Sequence, residues 1–314
     1  IDTFSFIKED CGGIQYSSGS AFSNMQVMNN IVLNGLGSPG GMPNGTTHWV
    51  VGIELDYYTT GGFEISNNTV ANIKHTAGIL ISGSQNVVVM NNTVFECTSG
   101  VRMQELGGTA TPTPPRNITM TGNIIFAKTV TNIPLSLYST KNDLDQFGSF
   151  DNNYYARPLN NAKPIRTGIG GVVTSLSLTD WQTLSGMDLN SRISPIALTD
   201  TADIDFYYNA TSSNKLFTLS KPMIDIKGTK YLSSITLAPF TSVVLMADPD
   251  PISAPEYISS SFPTYPTLMV MKYSETLANI VPPASAFSVI ANSVPKIVKT
   301  VMISGNTVRL YLEE

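Results

Sequence analysis

The chain contains 314 residues, of which 13% are charged, and its formal net charge is −5. No basic run is present, so the sequence lacks the positive face of a nucleic-acid-binding protein, and we exclude that class of partner. No run of about 18 apolar residues occurs, so we expect no membrane-spanning helix. The length allows about two or three domains with ample core.

The first residue is Ile1 rather than Met. We therefore expect the chain to be a processed form or a piece of a longer protein. Two cysteines, Cys11 and Cys97, and two histidines, His48 and His75, lack the C-x-x-C spacing of a zinc site. We predict no metal site from these residues.

Two motifs alternate along residues 13–155 and indicate a repeated architecture. The asparagine motif occurs as NNIV at 29–32, NNTV at 67–70, NNTV at 91–94, GNII at 122–125 and DNNYY at 151–155. The triplet motif occurs as GIQY at 13–16, GIEL at 52–55, GILI at 78–81, GVRM at 100–103 and PLSL at 134–137. A repeat of about two dozen residues is typical of a solenoid.

The triplets place apolar residues at every second position, which is the period of a β-strand. A coil of about 24 residues with two or three short strands has the size of one turn of a parallel β-helix. Stacking such coils about 4.8 Å apart predicts two inward columns of side chains. One column contains Ile14, Ile53, Ile79, Val101 and Leu135, and the other contains Tyr16, Leu55, Ile81, Met103 and Leu137.

One asparagine of each copy is predicted to lie at the bend between strands, in a left-handed or bridge conformation that Asn tolerates. In stacked coils these amides can hydrogen-bond to one another and to the turn backbone. We interpret them as structural, with a ligand-binding ladder as the alternative. They are Asn30, Asn68, Asn92, Asn123 and Asn153.

Three insertions lengthen the coils, at 35–48, 106–116 and 141–146. They are rich in Gly, Pro or polar residues and lack an apolar period. Because insertions in solenoids collect on one face, often the binding face, they are the strongest indication of function in the sequence.

The repeat also bears on the cysteines. Cys11 lies three residues before Ile14 and Cys97 four before Val101, which predicts the same bend in the first and fourth coils. Three coil steps separate them by about 14 Å, whereas a disulfide needs Cα atoms within about 7 Å. We predict two free thiols, packed as small apolar residues.

Residues 178–191 contain a predicted helix, with Thr179 as N-cap and Gln182 completing a capping box. Trp181 and Leu184 would then face the last coil and close the solenoid, which needs a cap. The alternative is that Trp181 is a platform on which a sugar stacks.

With these motifs, residues 13–155 resemble the right-handed parallel β-helix superfamily of pectate-lyase-like fold, in its secreted bacterial forms. The resemblance implies an extracellular polysaccharide ligand, and the superfamily includes lyases, hydrolases, epimerases, phage tailspikes and non-catalytic adhesins. From Asp203, runs such as LAPFTSVVL at 237–245 resemble the β-sandwich tails of bacterial glycosidases. YSETL, AFSV and ISGNTVRLYL, after residue 272, resemble an Ig-like module of bacterial surface proteins.

The predicted fold class is therefore all-β, a right-handed parallel β-helix followed by small β-sandwich and Ig-like domains. The expected divisions are the β-helix at 1–158, which lacks N-terminal coils, a capping segment at 159–200, a sandwich tail at 201–248, a Pro-rich linker at 249–256 and a partial Ig-like module at 257–314.

Candidate site residues are the outward positions beside the two columns. Glu54 and Asp56 on one strand would be about 6 to 7 Å apart, a spacing that suits a pair of glycosidase carboxyls. The alternative is that they are solvated surface carboxylates. The predicted catalytic residues are Glu54, Asp56, Arg102 and Glu105, and the predicted substrate-binding residues are Tyr57, Tyr58, Gln104 and Tyr138.

We expect no cofactor, although the resemblance to lyases that use Lys or Arg beside Ca²⁺ leaves that ion open. Two functions follow from the sequence. The first is a secreted protein that binds or processes extracellular polysaccharide, as a lyase, a hydrolase or a binder. The alternative is a structural or adhesive surface protein, part of a larger assembly, with the solenoid as a stiff stalk.

Overall fold

The structure is a computed structural model that describes residues 1–5, 10–17, 24–38, 49–56, 61–106, 113–250, 255–263, 265–278 and 280–313. The chain forms two compact units, Ile1–Pro249 and Asp250–Glu314. Strands dominate both units, which confirms the predicted all-β class.

The first unit begins with short strands that recur in a fixed order. In chain order they are β1 (Asp2–Phe4), β2 (Cys11–Ser17), β3 (Met25–Met28), β4 (Ile31–Gly35), β5 (Val50–Asp56), β6 (Phe63–Ser66), β7 (Thr69–Ala71), β8 (Ala77–Ser82), β9 (Gln85–Met90), β10 (Thr93–Phe95), β11 (Ser99–Gln104), β12 (Arg116–Thr121), β13 (Ile124–Phe126), β14 (Ile133–Ser139), β15 (Gly148–Asp151), β16 (Tyr154–Ala156), β17 (Ile165–Ile169) and β18 (Val172–Leu176).

These strands stack into three sheets. Sheet A contains β1, β4, β7, β10, β13 and β16, sheet B contains β2, β5, β8, β11, β14 and β17, and sheet C contains β3, β6, β9, β12 and β15. Neighbours within each set are parallel. β18 folds back antiparallel on β17 at the end of sheet B. The chain therefore winds through A, B and C as a parallel β-helix.

The two predicted inward columns are confirmed in sheet B. Ile53 pairs with Ile14 and Ile79, and Val101 pairs with Ile79 and Leu135. The second column is in register from Tyr16 through Leu55, Ile81 and Met103 to Leu137. Because side chains alternate along a strand, the residues between the columns project from the outer face of sheet B.

Close approach of atoms from neighbouring strands and coils explains why a glycine precedes the first four triplets. A Cβ atom on Gly52 would lie 2.4 Å from Val70 Cγ1 and 2.5 Å from the carbonyl oxygen of Gly78. Gly78 and Gly100 are as crowded, each facing the next coil's backbone. No side chain fits where the chain enters sheet B in the first four coils, whereas the fifth coil has Pro134 at this position.

The predicted asparagine ladder is confirmed at the corner between sheets C and A. Each amide Nδ2 donates to the Oδ1 of the next coil's asparagine, at 3.0 Å from Asn30 to Asn68, 3.0 Å from Asn68 to Asn92, 2.9 Å from Asn92 to Asn123 and 3.0 Å from Asn123 to Asn153. The Oδ1 atoms also accept backbone N–H groups of the preceding coil's asparagine. These amides are used within the fold, which excludes the ligand-ladder alternative.

The backbone part of that prediction is wrong by one residue. The left-handed conformation belongs to the residue before each ladder member, with φ of 57° at Asn29, 54° at Asn67, 54° at Asn91, 68° at Gly122 and 58° at Asn152. This residue turns the corner with its side chain outside, so that the next asparagine can point into the solenoid.

Helix α1 (Leu178–Ser185) follows β18 and closes the end of the solenoid. Its N-cap is Ser177, which forms a capping box with Asp180, so the prediction of Thr179 is wrong by two residues. Ser177 has the extended backbone that an N-cap requires, whereas Thr179 already lies within the helix.

Trp181 closes the end of the core, as predicted. Its ring is fully buried, with its centroid 6.5 Å from that of Phe150 in the last sheet C strand. Burial excludes a role as a sugar platform. Leu184 is 47% exposed, so its predicted contact with the last coil is wrong.

The asparagine ladder ends on Asp188 in this cap. The buried Asp188 carboxylate accepts from Trp181 Nε1 at 2.8 Å, from the Tyr155 hydroxyl at 3.0 Å and from Asn153 Nδ2 at 3.3 Å. Burial raises the pKa of Asp188, and these hydrogen bonds oppose the rise. Ser191 Oγ accepts the Asn153 N–H at 2.8 Å, in place of a further asparagine.

The remainder of the first unit is a small antiparallel tail. Its strands are β19 (Ile204–Tyr208), β20 (Lys215–Thr218), β21 (Met223–Asp225), β22 (Lys230–Tyr231), β23 (Ser234–Leu237) and β24 (Ser242–Ala247). The tail covers the outer face of sheet A, where Phe206 stacks on Phe95 with ring centroids 4.7 Å apart. The tail and sheet A share one hydrophobic core, and no described residue of sheet B belongs to it.

The second unit contains an antiparallel sheet in the order β25, β26, β30, β29 and a hairpin of β27 and β28. Its strands are β25 (Tyr257–Ser261), β26 (Leu268–Tyr273), β27 (Val289–Ala291), β28 (Val294–Lys296), β29 (Val298–Ser304) and β30 (Thr307–Leu312).

Both cysteines are free thiols, as predicted. Cys97 is buried in the solenoid core, and burial raises its pKa to about 12. Cys11 is only half-buried and donates to the Ser5 hydroxyl. The prediction of a shared bend is wrong, because Cys11 begins β2 opposite Val50, whereas Cys97 precedes β11.

Candidate functional site

All three predicted insertions connect to strands of sheet B. Segment 35–48 connects β4 to β5, segment 106–116 connects β11 to β12, and segment 141–146 connects β14 to β15. Each therefore enters or leaves sheet B. Residues 39–48 and 107–112 lie outside the described residues.

Glu54 projects from β5 on this face and is buried, with 1% of its surface exposed. The Trp49 indole donates to Glu54 Oε1 at 3.2 Å, and Oε2 has no hydrogen-bond partner among the described residues. Burial raises the pKa of Glu54 to about 7, although the Trp49 hydrogen bond opposes the rise. Glu54 is therefore not a solvated surface carboxylate.

Arg102 lies two coils from Glu54 in the same outward row, since Leu80 pairs with both residues. Its guanidinium carbon is 4.8 Å from the ring centroid of Tyr138 and 5.6 Å from that of Trp49. Its Nε has no hydrogen-bond partner, and no salt bridge to Arg102 occurs, among the described residues. Burial lowers the pKa of Arg102.

A small apolar cluster lies beside the buried Glu54 and the half-buried Arg102. Val51, Ala77 and Leu80 are fully buried on the outer face, and Trp49 packs against them. Because the buried Leu80 lies between Glu54 and Arg102 in the outward row, electrostatic interactions there are stronger than at an open surface.

A cleft of about 390 Å³ opens beside this cluster, towards the capped end of the solenoid. Its lining includes four of the predicted site residues, namely Arg102, Gln104, Glu105 and Tyr138. The turn between β17 and β18 and the exposed Val173 complete it.

Of the other predicted site residues, Asp56 lies outside the cleft lining, and Glu105, although in the lining, already accepts two hydrogen bonds. The Glu105 carboxylate accepts from the Ser139 hydroxyl and the Thr140 N–H, both at 2.8 Å, and so anchors the end of β14. Asp56 ends β5, outside the cleft lining, and its charge contributes to the raised pKa of Glu54. Residues 57–60, which include both predicted tyrosines, lie outside the described residues.

Trp49 is the site residue that sequence reasoning missed. It contacts both Glu54 and Arg102, yet it precedes β5 and belongs to neither repeated motif. Its position directly before an apolar strand at the end of a long insertion was the available signal.

The arrangement combines the Glu54 carboxyl group, with a pKa of about 7, and the guanidinium of Arg102 with two aromatic rings, of which Arg102 and Tyr138 line the cleft while Glu54 and Trp49 lie outside its lining. The first can donate or accept a proton, and the second can hold an anionic group. No group of three His, Cys, Asp or Glu side chains that could hold a metal ion occurs in the described part of the chain. No described helix is long and apolar enough to cross a membrane.

Comparison of the chain with family models, with curated protein sequences and with solved structures returned no match.

Proposed function

We propose that this chain belongs with the pectate-lyase-like β-helix proteins, is secreted, and engages an acidic extracellular polysaccharide on the outer face of sheet B. The observation that carries the proposal is Arg102, which lies between two aromatic rings without a carboxylate partner in the described residues and lines a cleft. A half-buried guanidinium without a carboxylate partner can accept an anionic group from a ligand.

The rest of the cleft suits a sugar. The Tyr138 ring offers an apolar face to a pyranose, and the Gln104 amide offers both a donor and an acceptor for hydroxyl groups. The carboxylate of a uronate would pair with Arg102. The predicted insertions beside sheet B would lengthen the contact along a polymer.

Turnover, if the chain processes its ligand, would depend on Glu54. A carboxyl group with a pKa of about 7 is still partly protonated near neutrality and is suited to donate a proton to a leaving glycosidic oxygen. Because Glu54 is buried outside the cleft lining, this step requires the ligand to reach past Trp49. Asp56 on the same strand would be the second carboxylate.

The second candidate function is a non-catalytic stalk in a larger surface assembly. One observation favours it: Glu54 is buried and Arg102 half-buried, and both contact Trp49 of the outer apolar cluster, as supports of a stiff solenoid would. In that case neither residue would contact a ligand.

The proposal is tested by titrating acidic oligosaccharides into Arg102→Ala and into Arg309→Ala, a matched loss of an exposed arginine in the second unit. Calorimetry should show the dissociation constant rising at least about tenfold for Arg102→Ala and staying unchanged for the control. Thermal unfolding establishes that both variants are folded. Equal affinity in the two variants contradicts the proposal for sheet B, and no binding by either variant or by wild type favours the stalk.

Glu54→Gln tests turnover separately. It should abolish any release of reducing or unsaturated ends while leaving the dissociation constant within about threefold of wild type, since the amide keeps the shape but cannot donate the proton. Cleavage by Glu54→Gln at the wild-type rate would remove Glu54 from the chemistry.

A further inference from the structure

A second cleft lies away from sheet B, at the corner where the chain passes from sheet C to sheet A. Its volume is about 420 Å³. One wall is formed by the outer edge of the asparagine corner, and the other by the turn that precedes β24 in the tail. Both walls belong to the first unit.

The first wall offers a row of unengaged amides. Asn29, Asn67 and Asn91 turn the corner with their side chains exposed. Within the described residues none of these three amides forms a side-chain hydrogen bond, in contrast to the ladder asparagines beside them. Successive coils repeat the group about every 4.8 Å, the spacing of adjacent strands.

The second wall presents an aromatic ring in a strained position. Phe240 has φ of 56°, a left-handed conformation that a bulky residue rarely adopts, and 45% of its surface is exposed. A non-glycine residue is kept in this conformation only where its surroundings impose it, and such positions cluster at binding sites.

The surroundings do impose it. The buried Asn209 donates from Nδ2 to the carbonyl oxygens of Leu237 and Ala238, both at 3.0 Å, and from its backbone N–H to Thr241 O at 2.9 Å. One residue further along, Ser242 Oγ lies 2.7 Å from Thr69 Oγ1 of the solenoid. The turn is therefore held from both sides, with Phe240 facing the asparagine row.

The charge of this cleft is positive in an otherwise acidic chain. Lys227 lines it, is exposed and has no ion pair among the described residues. No lining residue carries a carboxylate. Asp225, two residues earlier and outside the lining, accepts the Lys227 backbone N–H at 2.9 Å, so the Lys227 ammonium is the group that would attract an anionic ligand, with one carboxylate nearby.

We propose that this cleft is a second saccharide-binding site, for an oligosaccharide that carries uronate groups. The pyranose face stacks on Phe240, the hydroxyl groups bond to the amides of Asn67 and Asn91, and a carboxylate pairs with Lys227. The ligand class rests on the proposed function, whereas the site itself is independent of Arg102.

The test uses the full chain with Arg102→Ala, so that the sheet B site is disabled. A short oligouronate and its carboxyl-reduced counterpart are titrated by calorimetry and by NMR of the Asn side-chain amides. The oligouronate should bind and shift the Asn67 and Asn91 amides, and the neutral sugar should bind more weakly. Phe240→Gly in this background should raise the dissociation constant by on the order of tenfold.

Matched variants separate binding from folding. Phe240→Gly removes the strain, so its melting temperature should equal or exceed that of its parent. Asn67→Gly with Asn91→Gly should weaken binding without unfolding, because the fourth coil already has Gly122 in this row. Asn152→Gly makes the same change outside this cleft and should leave the affinity unchanged.

Each outcome of these titrations tests either the second cleft or the sheet B cleft. Binding that is indifferent to Phe240→Gly and to the asparagine pair overturns the second site, as does complete loss of binding with Arg102→Ala alone. Equal affinity for the neutral sugar overturns its specificity for uronates. If only the Phe240 and asparagine variants reduce the wild-type affinity, the second site stands and the sheet B proposal fails.

Discussion

Neighbouring asparagines in the repeat have opposite roles. Asn92 is buried, donates to Asn123 Oδ1 and to a carbonyl of the preceding coil, and accepts from Asn68. Asn91, one residue earlier, is exposed, and within the fold its role is to turn the corner. The same residue type is therefore needed once for its amide and once for its tolerance of positive φ.

We predict that Asn92→Ala lowers the free energy of unfolding by at least about 3 kcal/mol, because it leaves several buried polar groups without partners. Asn91→Gly should change it by no more than about 1 kcal/mol, since glycine adopts the same backbone conformation. Urea unfolding of the two variants measures the difference. Equal losses would show that the ladder hydrogen bonds are not what stabilises this corner.

Glu54 predicts a pH dependence of stability. Its pKa in the folded chain is about 7, above its ordinary value of 4.5, so the folded state binds the proton more tightly. The stabilisation is complete below about pH 4.5 and is lost as pH rises through about 7, by up to about 3 kcal/mol.

Glu54→Gln should abolish this decline, because the amide does not titrate. Glu64→Gln, the same change at a partly exposed carboxylate of sheet C, should leave the decline in place. Chemical unfolding between pH 4.5 and 8 distinguishes the two variants. A decline in Glu54→Gln as large as in wild type would show that its carboxyl is not the group responsible.

At the scale of elements, the glycines at the start of the sheet B strands cannot be replaced by a larger residue without moving neighbouring strands. In Gly78→Ala the new Cβ would lie 2.6 Å from Val94 Cγ1 and 2.8 Å from Gly100 O. We expect a loss of about 2 to 3 kcal/mol, since the coil above and the strand beside it must both move. Gly186→Ala, with φ of 70° but no atom within 4 Å, should cost only about 1 kcal/mol in thermal or urea unfolding.

The strands were predictable to the extent that they repeat. The columns from Ile14 to Leu135 followed from period and spacing alone, because a one-residue slip would expose every apolar side chain. The N-cap of α1 was missed because Ser177 and Thr179 both precede a plausible partner, and only the backbone conformation distinguishes them. The strands could be predicted because the same pattern occurs in several coils, whereas a short element such as α1 occurs once and offers no second copy for comparison.

The candidate site was predictable only in part, for a related reason. Arg102, Gln104 and Tyr138 were identified because they flank the repeated columns, and they do line one cleft. The burial of Glu54 depends on Trp49 and the outer cluster, which are tertiary contacts without a sequence period. Strand alternation places a side chain on a face, but it does not show what covers that face.

At the scale of the whole first unit, the three sheets have different surroundings. The tail covers the outer face of sheet A, the cluster of Trp49 and Leu80 covers part of sheet B, and a cleft remains beside it. The tail was predicted from its resemblance to the β-sandwich tails of bacterial glycosidases. Its turn at Phe240 also forms one wall of the second cleft, so the tail contributes to the proposed binding surface.

The most direct test of the proposed function is the fluorescence of Trp49. The chain has two tryptophans, of which Trp181 is fully buried in the cap and Trp49 is partly exposed beside Arg102. An acidic oligosaccharide at this face should protect the fluorescence from acrylamide quenching, saturably, and the protection should be absent in Trp49→Phe. Binding detected by calorimetry with unchanged quenching of wild type would place the ligand elsewhere and contradict the account.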